Sequence, residues 1–318
     1  MRLLLRDLYT TFQERTIWTN SIIKGGLSSR LGILEETITD VNLIEISKKH
    51  NTYILTKKFS RREEGAKSGA DWLWCIGEPG AWFPFLVQAK VVNPTTSTCH
   101  ALNYRGGEQR RLLLEFSRRN RLFPVYCIYS QISNNLYPLS KSLPSLSNLN
   151  SLEWSCAFVI PKFIRQLAAK KQKKQAELLR YAIPWTFPFH HAVKNEKQTL
   201  AQSLAEAMQK VVAEFELITT NATIKSYNKS TTRISWENPD PNILVTPNLP
   251  NIVMRLLEGK ISPVKSPIAG ISIVSCVPIE IALSKRKSMS VNHEESAQNI
   301  NVQKYLSTGE RNISKYKK

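Results

Sequence analysis

The sequence predicts a mixed α/β (α+β) domain, a central mixed β-sheet with helices packed against it, and three observations predict it. Short runs rich in β-branched and aromatic residues, bounded by turn residues, occur near 51–60, 70–76, 83–92 and 123–129. Between and around them, apolar residues recur at helical spacing. The chain has 318 residues, 42% of them hydrophobic and 22% charged, enough to bury a substantial core. No segment approaches eighteen uninterrupted apolar residues, so no membrane-spanning helix is expected.

In chain order, Leu4, Leu5, Leu8 and Phe12 mark an amphipathic helix, and Gly25-Gly26 should break the pattern before a second helix that continues to about Lys49. Asn51–Ser60 is the first expected strand. Ala70–Ile76 and Phe83–Val92 are the second and third, with Pro84 near the start of the latter, where a missing N–H is tolerated. Leu112, Leu113 and Phe116 predict a helix over Glu108–Asn120, and Phe123–Tyr129 reads as a strand. Residues 131–150 read as a loop, Glu153–Ile160 as a strand and Pro161–Ala182 as one helix with proline in its first turn. The aromatic stretch 183–193 holds His190 and His191, which lack a Cys or acid at ligand spacing and read as structural. A helix over 198–217, an exposed connection over 218–241, a short helix over 250–257 and a strand over 271–277 complete the reading. Residues 1–284 are expected to form a single domain (core 33–130, extension 131–284), and 285–318 a basic, disordered tail.

Lys and Arg number 44 against 25 Asp and Glu, a net charge of +19 that points to a polyanionic partner, most simply nucleic acid. The segment 161–182 carries seven cations against Glu177 alone, beyond an ordinary solvated helix face, so Lys170, Lys171 and Lys174 are candidate phosphate contacts. Five scattered cysteines without a CxxC pair suit buried free thiols in a reducing cytoplasm. The N-terminus is too interrupted by charge for a signal peptide, and no membrane partner is expected.

The stretch 63–92 carries the chemistry. Strand alternation puts Leu86, Gln88, Lys90 and Val92 on one face, with Asp71, Leu73 and Cys75 sharing a face of the preceding strand. An acid, an amide and an ammonium on otherwise apolar strands are costly unless they bind something. The plainer reading is a structural Asp closing a turn and a Lys snorkelling from a strand end.

Gly69-Ala70-Asp71 followed by Gln88-Ala89-Lys90 resembles the PD-(D/E)XK nuclease superfamily, whose signature is an acid at one strand end and (D/E)-x-K on the next strand; Gln88 stands where an acid is expected. The same wording is similar to an uncharacterised bacterial domain family of no assigned function. The order helix, strand, strand, strand, helix, strand over 33–130 matches the superfamily core. The resemblance implies a restriction-endonuclease-like fold and Mg²⁺ (or Mn²⁺) held by Asp71, the Gln88 side chain and the Ala89 carbonyl. A further carboxylate would come from Glu36, with Glu35 as an alternative, or from Glu64. It implies a Lys90 that orients water and offsets charge on the phosphate. Tyr104 and Gln109 would lie behind these residues, and Arg110, Arg111 and Arg118 would lie along bound nucleic acid. The implied activity is hydrolysis of DNA, as in defence against foreign DNA, with pairing into a homodimer a common arrangement. A nuclease fold that binds nucleic acid without chemistry, and a structural or partner protein, are the alternatives.

Overall fold

The structure, a computed structural model, describes residues 2–29, 31–59, 67–133, 138–171, 173–195, 198–221, 236–262 and 265–284. Seven strands form one mixed sheet: β1 (Ile54–Lys58), β2 (Trp72–Glu78), β3 (Ala81–Val91), β4 (Phe123–Tyr129), β5 (Cys156–Val159), β6 (Ile183–Pro184) and β7 (Gly270–Ser275). Their order across the sheet is β1-β7-β2-β3-β4-β5-β6. β2 and β3 form an antiparallel hairpin, and β4 runs parallel to β3. A parallel neighbour needs a crossover, and α3 (Glu108–Asn120) provides it, with the boundaries its periodicity predicts.

The place of β7 departs from sequence order. It lies between β1 and β2, antiparallel to the first and parallel to the second, with Ile271 opposite both Lys57 and Leu73. The last of the described strands thus joins β1 to the hairpin that carries Gln88, at whose mouth Asp71 lies.

Helices cover both faces. α1 (Arg2–Ser28) runs straight through Gly25-Gly26 instead of breaking there, and α2 (Glu35–Lys49) follows as a separate helix. Arg15 Nε donates to Asn42 Oδ1 at 2.9 Å, which links the two. On one face of the sheet, Phe12 of α1 packs edge-on against Trp74 and Trp185, and Trp74 against Phe158. The long helix α7 (Leu200–Asn221) lies against β2 and β3. The opposite face carries Gln88, and α3 packs over it. The expected single helix over 161–182 is two, α4 (Pro161–Ala169) and α5 (Gln175–Leu179). The chain turns at Lys171 (φ 54), and the Lys173 carbonyl accepts the Cys99 N–H at 2.8 Å, which ties this basic connection to the loop after β3. Three short helices, α6 (Phe187–Lys194), α8 (Asn251–Leu257) and α9 (Ile279–Ser284), complete the α-helices described, beside four 3-10 turns between residues 100 and 244. The tail 285–318 lies outside the described residues.

Candidate functional site

The site forms where β2 ends and β3 continues. The Asp71 N–H donates to the Val87 carbonyl at 2.9 Å, the last backbone bond between the two strands on that side. Beyond it, side chains take the place of a partner strand. Asp71 Oδ2 accepts the Ala89 N–H at 2.7 Å, and the Ala89 carbonyl accepts Gln88 Nε2 at 3.0 Å. Gln88 Nε2 also donates to Asp71 Oδ2 at 2.6 Å. Gln88 Oε1 accepts Gln109 Nε2 from α3 at 2.7 Å. The buried Gln88 amide thus uses both of its ends, as a buried polar group must.

Gly69 explains how α3 comes this close. Its φ is +64, and a Cβ there would sit 2.2 Å from the Gln109 carbonyl oxygen and 2.9 Å from the Leu113 nitrogen. Only glycine allows both the left-handed conformation and this backbone approach. The Gly-Ala-Asp lead-in is therefore a packing requirement that sets Gln109 over Gln88.

Lys90 is 4% exposed, and its ammonium donates to Glu35 Oε1 at 3.2 Å. Glu35 opens α2 and shares a stripe with the buried Thr39, Asn42 and Ile46. The neighbouring Glu36, preferred over Glu35 from sequence as the further carboxylate, is exposed; the helix turns Glu35 to Lys90 instead. Glu64 lies outside the described residues, and so does the side chain of Tyr104.

Two further groups adjoin the site, and neither carries a local signal in the sequence. Burial pushes the Cys99 thiol up to about 11, with Lys90 drawing it down and Glu35 raising it. Burial likewise holds the Tyr126 phenol above its ordinary value, with Arg110 opposing and Asp71 reinforcing the shift. Tyr126 stands opposite Gln88 in the β3–β4 register, a proximity that follows only from the pairing of the strands.

The basic candidates divide. Arg110 is half-buried near Tyr126, whereas Arg118, Lys170, Lys171 and Lys174 are exposed. Arg111 pairs with Glu115 on its own helix at 2.6 Å. Lys173, with exposed Lys171 and Lys174 on either side, adjoins the site through Cys99.

Chemically, Asp71 Oδ2 and the Ala89 carbonyl are two oxygens that converge on one donor, beside a third oxygen, Gln88 Oε1. Among the described residues, no three His, Cys, Asp or Glu side chains gather as a metal cluster. No helix among them is long and apolar enough to cross a membrane.

Neither the curated proteins nor the solved structures supply a match to this chain. A family profile described as a family of unknown function (DUF6615) matches residues 8–298. The chain belongs to that family.

Proposed function

We propose that this protein is a metal-dependent nuclease of the PD-(D/E)XK type, hydrolysing phosphodiester bonds in DNA at Asp71, Gln88 and Lys90. The observation that carries the reading is the convergence of Asp71 Oδ2 and the Ala89 carbonyl on a single position, held by the Gln88 amide nitrogen at 2.6 and 3.0 Å. Two oxygens arranged around one electropositive group, with an amide oxygen beside them, suit Mg²⁺ or Mn²⁺, which prefer oxygen ligands. Asp71, the Gln88 amide oxygen and the Ala89 carbonyl would hold the ion. When bound, it would polarise the phosphate and lower the pKa of a water.

The chain's own residues do the rest. Lys90 supplies a buried positive charge for the phosphate, and Glu35 holds that ammonium in place. Gln109 donates to the Gln88 amide oxygen, so binding of the ion would require that amide to turn, its oxygen replacing the nitrogen that now faces Asp71 and the Ala89 carbonyl. With Gln88 in place of a carboxylate, the site carries one negative charge fewer, so metal affinity is lower than a two-acid site would give. The +19 charge and the exposed lysines near Cys99 supply attraction for a polyanion.

A second reading, a nuclease fold that binds DNA without cutting it, is favoured by the same amide, because its N–H groups satisfy both oxygens without an ion. Incubation of plasmid and single-stranded DNA with Mg²⁺, Mn²⁺ or EDTA separates the two. Metal-dependent cleavage by the wild type that disappears in Asp71→Asn supports the nuclease. Salt-sensitive binding without cleavage moves the function to the binder, and absence of both defeats each reading.

A further inference from the structure

We propose a second anion site, a phosphate pocket at the far end of α3 built from Arg119, Arg121 and Arg255. These residues line a concavity of about 350 Å³ with Asn248, Asn251 and Ile252. No carboxylate lines it. Elsewhere the chain matches many of its cations with acids, as in Arg165–Glu237 and Lys260–Glu258 at 2.9 Å each. Here, Arg121 and Arg255 make no ion pair among the described residues, and Arg119 reaches Glu115 only at 3.9 Å, where Arg111 already binds that carboxylate at 2.6 Å. Three arginines lining one hollow without an acid among them repel one another unless an anion joins them, and the guanidinium fork suits phosphate.

Both walls are fixed. Arg121 ends α3 in the left-handed conformation (φ 55), its backbone N–H on the Ser117 carbonyl, and its guanidinium donates to the Ile243 carbonyl at 3.1 Å. The opposite wall is pinned to the start of β3, where Trp82 and Thr246 exchange backbone hydrogen bonds at 2.7 and 2.9 Å. Arg119 lies ten residues along α3 from Gln109, roughly 15 Å at helical rise. The pocket is therefore separate from the Asp71 site but on the same helix. Its ligand class is a phosphate-bearing molecule, with a nucleic-acid strand and a free nucleotide as the two sources.

The test is fluorescence anisotropy of a labelled single-stranded oligonucleotide, with and without a 5′-phosphate, on the full chain in EDTA so that cleavage plays no part. Arg119→Glu and Arg255→Glu are compared with Lys210→Glu, an exposed lysine of α7 outside the pocket that undergoes the same charge change. A loss of tenfold or more in the pocket variants, against less than threefold in Lys210→Glu, with unchanged melting temperatures, supports the site. Should a charge reversal unfold the chain, Arg119→Gln and Arg255→Gln take its place against Lys210→Gln. A loss confined to the 5′-phosphorylated strand assigns a strand end, and an equal loss on both strands assigns backbone phosphates. Competition by AMP that the pocket variants abolish assigns a free nucleotide. Equal losses in all three variants, or none in any, overturn the proposal. Because no metal is present, failure here is distinct from failure of the nuclease reading.

Discussion

Replacing Lys90 by methionine should leave the fold nearly as stable as before while removing activity. At 3.2 Å from Glu35, the ammonium gains about 5 kcal/mol of Coulomb energy at an effective dielectric constant of about 20. Desolvating a buried ion costs several kcal/mol, so the two terms largely cancel. An apolar side chain of similar length avoids both, and Lys90→Met should change stability by no more than about 1 kcal/mol. Glu35→Ala is different, because it leaves the ammonium buried without its carboxylate. Its cost should be about 2 kcal/mol, below the full buried-pair range because the Glu35 side chain is 28% exposed. Thermal melting reads both: a fall of roughly 3–4 °C for Glu35→Ala and less than about 2 °C for Lys90→Met. In the double variant the Glu35→Ala loss should largely vanish. A loss above about 3 kcal/mol in Lys90→Met would make Lys90 a structural residue and refute the reasoning.

Gly69→Ala should destabilise by at least about 2 kcal/mol, since its Cβ meets the Gln109 carbonyl at 2.2 Å in a left-handed conformation, whereas Gly25→Ala, with nothing within 4 Å, should stabilise by about 0.5–1 kcal/mol; denaturant melts check both. His50, His190 and His191 are held below their ordinary value chiefly by burial. Their contribution is full above pH 6.5 and is lost as pH falls through the folded values, so the melting temperature should drop as pH falls below about 6.5. At the alkaline end, burial raises Cys99 to about 11 and Cys127 and Cys276 to about 12 from 9.0, so stability from the neutral thiols is full below pH 9 and declines above it, which an alkaline melting series reads. All five cysteines are buried, and a thiol reagent should label none of them before unfolding.

Local pattern carried much of the fold. The α3 and β4 boundaries follow from sequence because periodicity and flanking residues agree there. Gly25-Gly26 misleads because packing of a 27-residue helix outweighs the weak helix propensity of two glycines. The basic run 161–182 reads as one helix because its break depends on a distant partner, the Cys99 N–H on the Lys173 carbonyl. The place of β7 is likewise a long-range pairing that no local period encodes. At the site, strand alternation brings Asp71, Gln88 and Lys90 onto one face, but the choice between Glu35 and Glu36 rests on how α2 is rotated. The tri-arginine pocket joins the end of α3 to α8, far apart in the chain, and leaves no local trace.

The most direct test compares the rate of metal-dependent plasmid nicking by Gln88→Glu and Asp71→Asn, whose side chains meet at 2.6 Å in the wild type. If Asp71 and Gln88 share a cation, an added carboxylate at position 88 should increase nicking at low Mg²⁺ and the lost carboxylate at 71 should abolish it. Equal loss in both variants, or full nicking by Asp71→Asn, would contradict a catalytic site at these residues.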